Sequence, residues 1–383
     1  MINIYTPDIS KYTKSAIDAI ETGWISNLGK YVNLAKEELL NKIKCKYVVL
    51  TNNGTTSTHC LFMALKYKYP NIKKIYVPNN VYVAVWNAAL MEYNLSNLEV
   101  LKTDIDTYNF DLSELDRLEK NSCLVVVHNV GNIIDTSYIK SKRPDLVLLE
   151  DNCEGLFGKV NSNYTSSCVD VFASSCSFYG NKVITSGEGG AFFTNDEEVY
   201  NFIQKTTHQG QTTTRYVHDV LGYNYRMTNI EAAFLYDQMK DIDNILQNKI
   251  QVFNIYNRLL EPLVIGKFIN LQKINTNCER AYWMYIIRIP GKDFEDISMY
   301  MKNKNVDTRP FFYPIQYHNH LKSLMIEDET SNILSKECVI IPSSPNLKVE
   351  EQIYVVQQII EYLKEDMGEQ NYEEIKEYIT DFE

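Results

Sequence analysis

The run Leu146-Val147-Leu148-Leu149-Glu150-Asp151-Asn152-Cys153-Glu154 is apolar over the length of a strand and ends in three acidic residues within five positions. An uninterrupted apolar strand suits burial on both faces, as in a parallel sheet covered by helices. Ligands of such open sheets sit at the carboxyl ends of the strands. The flanking chain repeats the pattern. Strands are expected at 46–50, 74–77, 98–103 and 124–128, alternating with helices at 55–65, 83–93 and 112–119. Two more strands follow at 169–174 and 191–194, the second a return after Gly189-Gly190, and a helix over 229–248 leaves this unit. Beyond it lie a strand at 284–289 and helices at 294–302 and 349–363. The reading is an α/β fold with a mostly parallel sheet between helices, followed by a smaller α+β unit. Its expected divisions are a large domain over 1–245, a small C-terminal domain over 246–364 and an acidic tail over 365–383.

Composition agrees with a folded globular chain long enough for two domains. The 383 residues are 45% hydrophobic and 23% charged, which excludes a disordered chain. A net charge of −11 argues against a nucleic-acid surface, which needs a basic stripe. No apolar run reaches the roughly 20 residues that span a bilayer, and no basic region leads into an apolar core at the start, so neither a membrane segment nor a secretory signal is expected. The eight cysteines contain no C-x-x-C pair and read as reduced thiols of a cytoplasmic protein, without a metal or disulfide framework. His318-Asn319-His320 lacks a third ligand and reads as loop. From Glu365 to Glu383 there are eight acidic residues and one lysine; Tyr372, Ile375, Ile379 and Phe382 recur at helical spacing there. That stretch is either an exposed helix or partly disordered.

Three segments carry chemistry. Ser177-Phe178-Tyr179-Gly180-Asn181-Lys182 leads into Gly187-Glu188-Gly189-Gly190 and places a lysine in a tight turn between strands. Lys182 is either a surface residue of a glycine-rich hairpin or an amine that condenses with an aldehyde. Asp151, at a strand's carboxyl end, is either a structural cap or the partner of a protonated pyridine nitrogen, the role Asp plays in pyridoxal enzymes. Asn52-Asn53-Gly54-Thr55-Thr56-Ser57 joins a strand to a helix. There Gly54 permits the turn, and Thr55 or Thr56 either caps the helix or joins free N–H groups in holding a phosphate. Tyr82 packs in the core or lies flat on a cofactor ring.

The ordered set closely resembles the nucleotide-sugar aminotransferases of the DegT type, pyridoxal-phosphate enzymes of the aspartate-aminotransferase fold, fold type I. The matching residues are Gly54-Thr55-Thr56, Val77-Pro78 with Tyr82, Val127-His128 with Gly131, Glu150-Asp151, and Ser177, Lys182 and Gly187-Glu188-Gly189-Gly190. Gly222-Tyr223-Asn224-Tyr225-Arg226-Met227-Thr228-Asn229, Tyr282-Trp283-Met284 and Thr308-Arg309-Pro310-Phe311-Phe312-Tyr313-Pro314 extend the match. It runs from Gly23-Trp24-Ile25-Ser26 to Pro342-Ser343-Ser344-Pro345-Asn346-Leu347, nearly the whole chain. The resemblance implies pyridoxal 5'-phosphate as cofactor, passing through pyridoxamine 5'-phosphate. It makes Lys182 the lysine bonded to the cofactor, pairs Asp151 with the ring nitrogen, stacks Tyr82 on the ring, and assigns Thr55, Thr56 and Ser177 to the phosphate. Glu154 stands where the family usually has a polar residue close to the ring, often glutamine or histidine. Asn224 resembles the asparagine that a neighbouring subunit gives to the phosphate, which implies a homodimer with shared active sites. Asn79-Asn80-Val81 departs from the small or hydroxyl residues usual before the stacking aromatic.

Because related sugar dehydratases carry histidine in place of this lysine, retention of Lys182 points to transamination. The implied partners are L-glutamate as donor and a nucleotide-linked 4-keto-6-deoxyhexose as acceptor, aminated at C4 to a viosamine- or perosamine-like sugar. Amination at C3 and a non-catalytic cofactor-binding sensor are the alternatives. Ser26, Arg309 and Tyr313 are candidates for sugar contact; otherwise they are respectively a cap, an ion pair and core packing.

Overall fold

The structure, a computed structural model, describes residues 1–380 and 382. Its strands are β1 (Tyr47–Thr51), β2 (Ile75–Pro78), β3 (Leu98–Leu101), β4 (Cys123–Val127), β5 (Val147–Asp151), β6 (Lys159–Val160), β7 (Asn163–Tyr164), β8 (Ala173–Ser177), β9 (Gly190–Thr194), β10 (Asn270–Leu271), β11 (Cys278–Glu279), β12 (Tyr285–Arg288), β13 (Arg309–Pro310) and β14 (Cys338–Ile341). Seven of these form the main sheet in the order β1-β9-β8-β5-β4-β2-β3. Only β9 runs against the others, pairing antiparallel with β1 and β8. The expected alternation of strand and helix is therefore present, with a mostly parallel mixed sheet.

The helices are α1 (Lys14–Glu21), α2 (Lys30–Ile43), α3 (Gly54–Lys68), α4 (Ala84–Glu92), α5 (Thr136–Lys142), α6 (Glu197–Thr207), α7 (Asn229–Lys240), α8 (Ile242–Ile265), α9 (Phe294–Asn303), α10 (Glu329–Glu337), α11 (Val349–Tyr362) and α12 (Lys364–Thr380). Successive strand residues point to opposite faces. Val49, Cys123, Val125, Leu149 and Phe192 pack with α3, α4 and α6. Their neighbours Val48, Leu50, Leu124, Val126, Leu148 and Phe193 pack with α1, α2, α5 and α7. Two apolar layers thus cover one sheet, which explains why β4 and β5 read as continuous apolar runs. A second, four-stranded sheet, β10-β12-β14-β13, turns Tyr285, Ile287, Val339 and Ile341 toward α8, α9, α11 and α12. Ile286 and Ile340, on its other face, join the core of the large sheet.

Several boundaries differ from expectation for local reasons. Residues 112–117 form a short 3-10 turn rather than a helix to 119. The strand expected at 169–174 begins at Ala173, where pairing with β5 and β9 begins. The helix expected over 229–248 breaks at Asp241, whose carboxylate accepts from Tyr12 Oη at 2.8 Å. The acidic stretch is helical to Thr380, with Tyr372, Ile375 and Ile379 buried against α8 and α11, so its apolar spacing reflects packing. Asp381 and Glu383 of that stretch lie outside the described residues. Among the described residues, no helix is long and apolar enough to cross a membrane.

One buried side chain holds the Trp24–Gly29 loop against α7. Asn229, 1% exposed, accepts from Tyr31 N at 2.8 Å and donates to Trp24 O, while its own N–H bonds Ser26 O at 3.0 Å. Asn229→Ala would leave a buried donor and acceptor unpaired, a loss of about 1–3 kcal/mol. A lowered denaturation midpoint, with new proteolytic cleavage between residues 24 and 29, is the expected outcome.

Candidate active site

The parallel register brings the chemistry-bearing residues to one edge of the sheet. Thr51 and Ser177 both pair with Gly190, and Asp151 pairs with Val127 and Ser175. The loops after β1, β4, β5 and β8 therefore emerge side by side. They carry Gly54-Thr55-Thr56, His128, Glu154 and Lys182 respectively.

At the first of these loops, α3 begins on Gly54. Its cap is Asn53, whose Oδ1 accepts from Thr56 N at 2.9 Å, so neither threonine caps the helix. The Thr56 hydroxyl bonds Asn52 Oδ1 at 2.8 Å, and Thr55 is exposed. The first N–H groups of a helix have no intrahelical acceptor, so Gly54 and Thr55 present theirs outward. Ser57 Oγ donates to Cys176 O at 2.8 Å and Thr58 Oγ1 contacts Ser175 Oγ at 3.1 Å, clamping α3 onto β8. As a result, a Cβ on Gly54 would stand 2.8 Å from Ser177 Oγ. Glycine here lets two backbone N–H groups and the Ser177 hydroxyl share one concavity, a setting suited to a phosphate.

At the end of β5, adjacent carboxylates face opposite sides. Glu150 accepts from His128 Nε2 at 3.0 Å and from Ser166 N at 2.7 Å. His128 Nδ1 accepts from Ile134 N at 3.2 Å, so the ring proton lies on Nε2 and is given to Glu150. Burial opposes ionisation of Glu150, but His128 and these donors outweigh it and hold its pKa below the ordinary range. Asp151 is different. It is 5% exposed, accepts from Cys153 N at 3.0 Å, and among the described residues forms no ion pair. Burial pushes its pKa up, against the Cys153 contacts and, farther off, the charge of Lys182. A buried carboxylate without a cation is costly unless a positive partner arrives. A protonated ring nitrogen is such a partner, so the residues present fit pyridoxal 5'-phosphate: a phosphate concavity at one end and an unpaired carboxylate at the other.

The remaining expected residues are placed as follows. The Tyr82 ring is 59% exposed and outside the core, 6.1 Å between centroids from Phe312. Asn224 is exposed, while Tyr223 and Tyr225 turn inward, stack at 4.8 Å and meet His59 edge-on. Ser26 is exposed and caps nothing, since α2 starts after Gly29. Arg309 pairs with Asp307 and is half exposed, the ion-pair alternative, and nothing joins it to Lys182. Tyr313 packs at 5.1 Å on Tyr317. Among the described residues, none of the three sugar candidates hydrogen-bonds or ion-pairs with Lys182, Asp151 or Ser177. Reading the sequence missed Asn53 as the cap, and also two residues that grip the Lys182 loop. Tyr5 Oη donates to Lys182 O and Trp283 Nε1 to Asn181 O, each at 2.9 Å. No local pattern marks either, because both come from distant parts of the chain.

Glu154 is 8% exposed, and its Oε2 accepts from Val130 N at 2.8 Å. Burial pushes its pKa up to about 7, only partly opposed by Lys182 and the Val130 N–H. Below the unfolded value the group is protonated in both states and costs nothing. Between about pH 4.5 and 7 the unfolded chain ionises first, so stability falls as pH rises, then levels off. The isosteric Glu154→Gln should therefore leave the cofactor-free protein unchanged near pH 4.5 and stabilise it by up to about 3 kcal/mol at pH 8. Denaturant melts at both pH values check this; an equal difference at the two would show an ordinary carboxylate.

Comparison with known proteins agrees with this geometry. Residues 8–360 match the DegT/DnrJ/EryC1/StrS aminotransferase family. GDP-perosamine synthase of Escherichia coli O157:H7 is 28% identical, covering 94% of this chain and 98% of its own. GDP-perosamine synthase of Vibrio cholerae is 29% identical, covering 91% and 95%. In fold, a putative sugar aminotransferase from Streptococcus pneumoniae, in its PMP form, superposes with a TM-score of 0.83 at 18% identity over 97% of this chain and 99% of its own. With residues 8–360 matched, the chain belongs to the DegT/DnrJ/EryC1/StrS aminotransferase family and is a sugar aminotransferase using pyridoxal 5'-phosphate.

Proposed function

We propose that this protein moves an amino group from L-glutamate to C4 of a nucleotide-linked 4-keto-6-deoxyhexose, giving a 4-amino-4,6-dideoxy sugar of the perosamine or viosamine type. The observation that carries the reading is Lys182 in the loop after β8, with the buried, unpaired Asp151 at the end of the neighbouring strand β5. The GDP-perosamine synthases, similar over more than nine-tenths of this chain, favour C4.

When bound, pyridoxal 5'-phosphate supplies an aldehyde that takes up the amino group and a ring that draws electrons from the neighbouring carbon. The protein's part follows from its own groups. Gly54 and Thr55 N–H groups with Ser177 Oγ would bind the phosphate, and Thr56 fixes the Asn52 side chain beside them. The Asp151 carboxylate would hold the proton of the ring nitrogen, the charge it lacks in the protein alone. Tyr82, which is exposed, would cover one face of the ring. Lys182 Nζ would hold and move the proton between donor carbon and cofactor carbon, as general base and then acid. Glu154, near neutral pH, would stand beside the ring.

The same reading includes a homodimer. Asn224 and the apolar Trp24, Ile25, Leu28, Tyr216 and Leu221 are exposed in one subunit, and a second copy would cover them. It also retains a domain boundary near 245, supported by the separate core that begins at Val252, and a cytoplasmic setting, supported by eight free thiols; the division expected near 364 is crossed by that core, which continues through Tyr372, Ile375 and Ile379.

Lys182→Ala should retain the fold and lose turnover by about 10³-fold or more. The assay supplies L-glutamate with nucleotide-linked 4-keto and 3-keto sugars and locates the new amine by NMR. An amine at C3, or undiminished turnover in the variant, would overturn the reading.

A further inference from the structure

Lys182 Nζ lies 3.9 Å from the centroid of the Trp283 ring, over its face. Among the described residues Lys182 forms no ion pair, although Asp151 and Glu154 are near enough to be influenced by its charge. The indole is 6% exposed and cannot tilt freely, because its Nε1 is bonded to Asn181 O at 2.9 Å. Tyr5 Oη holds the next carbonyl, that of Lys182, at the same distance. Beneath them, Lys249 is fully buried and donates from Nζ to Trp283 O at 2.7 Å and to Ser343 O. The same Nζ lies 5.2 Å from the Tyr5 ring centroid. One buried amine thus braces both the residue under the Lys182 side chain and the residue that grips its backbone.

We propose that Trp283 is the resting platform of the Lys182 amine whenever that amine is not bonded to cofactor, with Tyr5 and Lys249 as the braces that fix the platform. This rests on the reading of Lys182 as the reacting lysine. An aromatic face attracts an ammonium without a carboxylate. That matters here: a freed Lys182 pairing with Asp151 would occupy the charge needed by the ring nitrogen, and pairing with Glu154 would ionise a carboxyl that the site keeps near neutrality. The indole holds the amine beside the reaction and leaves both acids available. Trp283 is therefore a positioning residue.

The test uses the cofactor-free protein, so that it does not depend on turnover. Amines are labelled with trinitrobenzenesulfonate, and Lys182 is compared by peptide mass spectrometry with the exposed Lys46. Trp283→Leu should speed labelling of Lys182 at least several-fold relative to Lys46, whereas Trp283→Phe, which keeps an aromatic face, should stay nearer the wild type. Independently, Lys182→Met should change the indole emission, and the change should vanish in a Trp283→Phe background. Equal relative labelling in wild type and Trp283→Leu, or an unchanged emission in Lys182→Met, would overturn the platform. If Trp283→Leu fails to fold, the emission pair decides alone. A borohydride-fixed cofactor at some other lysine would instead remove the reading of Lys182, so the two ideas fail separately.

Discussion

A carboxylate buried without its counter-charge governs this site. Burying a charge in a protein interior is costly unless it is paired or well hydrogen-bonded. Glu150 meets that condition within the chain, through His128 and the N–H of Ser166. Asp151, one residue on and facing the other side of the sheet, does not. Their pKa values accordingly move in opposite directions. Two neighbouring carboxyl groups with divergent environments suit divergent roles: Glu150 holds the strand end, and on the proposed function Asp151 would meet the ring nitrogen. The helix start at Gly54 and the loop of Lys182 lie at the same edge of the sheet as that open charge.

The strand ends were legible in the sequence because they depend on local pattern. Continuous apolar runs, buried on both faces, locate β4 and β5, and the glycine-rich return after Lys182 locates β9. What escaped reading depends on long-range contact. The lead-in to β12 carries Trp283 beneath Lys182 from about a hundred positions away, and Tyr5 reaches the same loop from the chain's start. Trp283 is buried as a packing residue would be, but its ring face meets an amine and its N–H a carbonyl. The small sheet was half legible: β12 showed as an apolar run, whereas β13 is two residues long and acquires its structure only by pairing with β14.

The loop after β2 shows how an unusual sequence can be structural. Asn79 and Asn80 depart from the family's habit, and both are buried. Asn80 Nδ2 donates to Phe312 O at 2.8 Å and Ser331 O at 3.1 Å, and its Oδ1 accepts from Thr103 Oγ1 at 2.8 Å. Asn79 donates to Asp328 Oδ2 and accepts from Ile315 N, both at 3.0 Å. Side-chain amides thus satisfy backbone groups left open where β2 meets the segments around 312–315 and 328–331. These asparagines fix the base of the Tyr82 loop; they are not aimed outward at a substrate.

The turn after β4 links the acid and the amine of the site. Val130 has φ 53°, a strained conformation for a β-branched residue, and this directs its N–H to Glu154 Oε2. The next residue, Gly131, bonds Ala281 N through its carbonyl at 2.9 Å, and a Cβ there would stand 2.2 Å from Ala281 O. Ala281 is two residues before Trp283. A side chain at Gly131 would therefore push on the segment that positions the indole and on the turn that feeds Glu154. The Gly131–Ala281 contact thus couples the segment that carries the indole under Lys182 to the turn that feeds the Glu154 carboxyl.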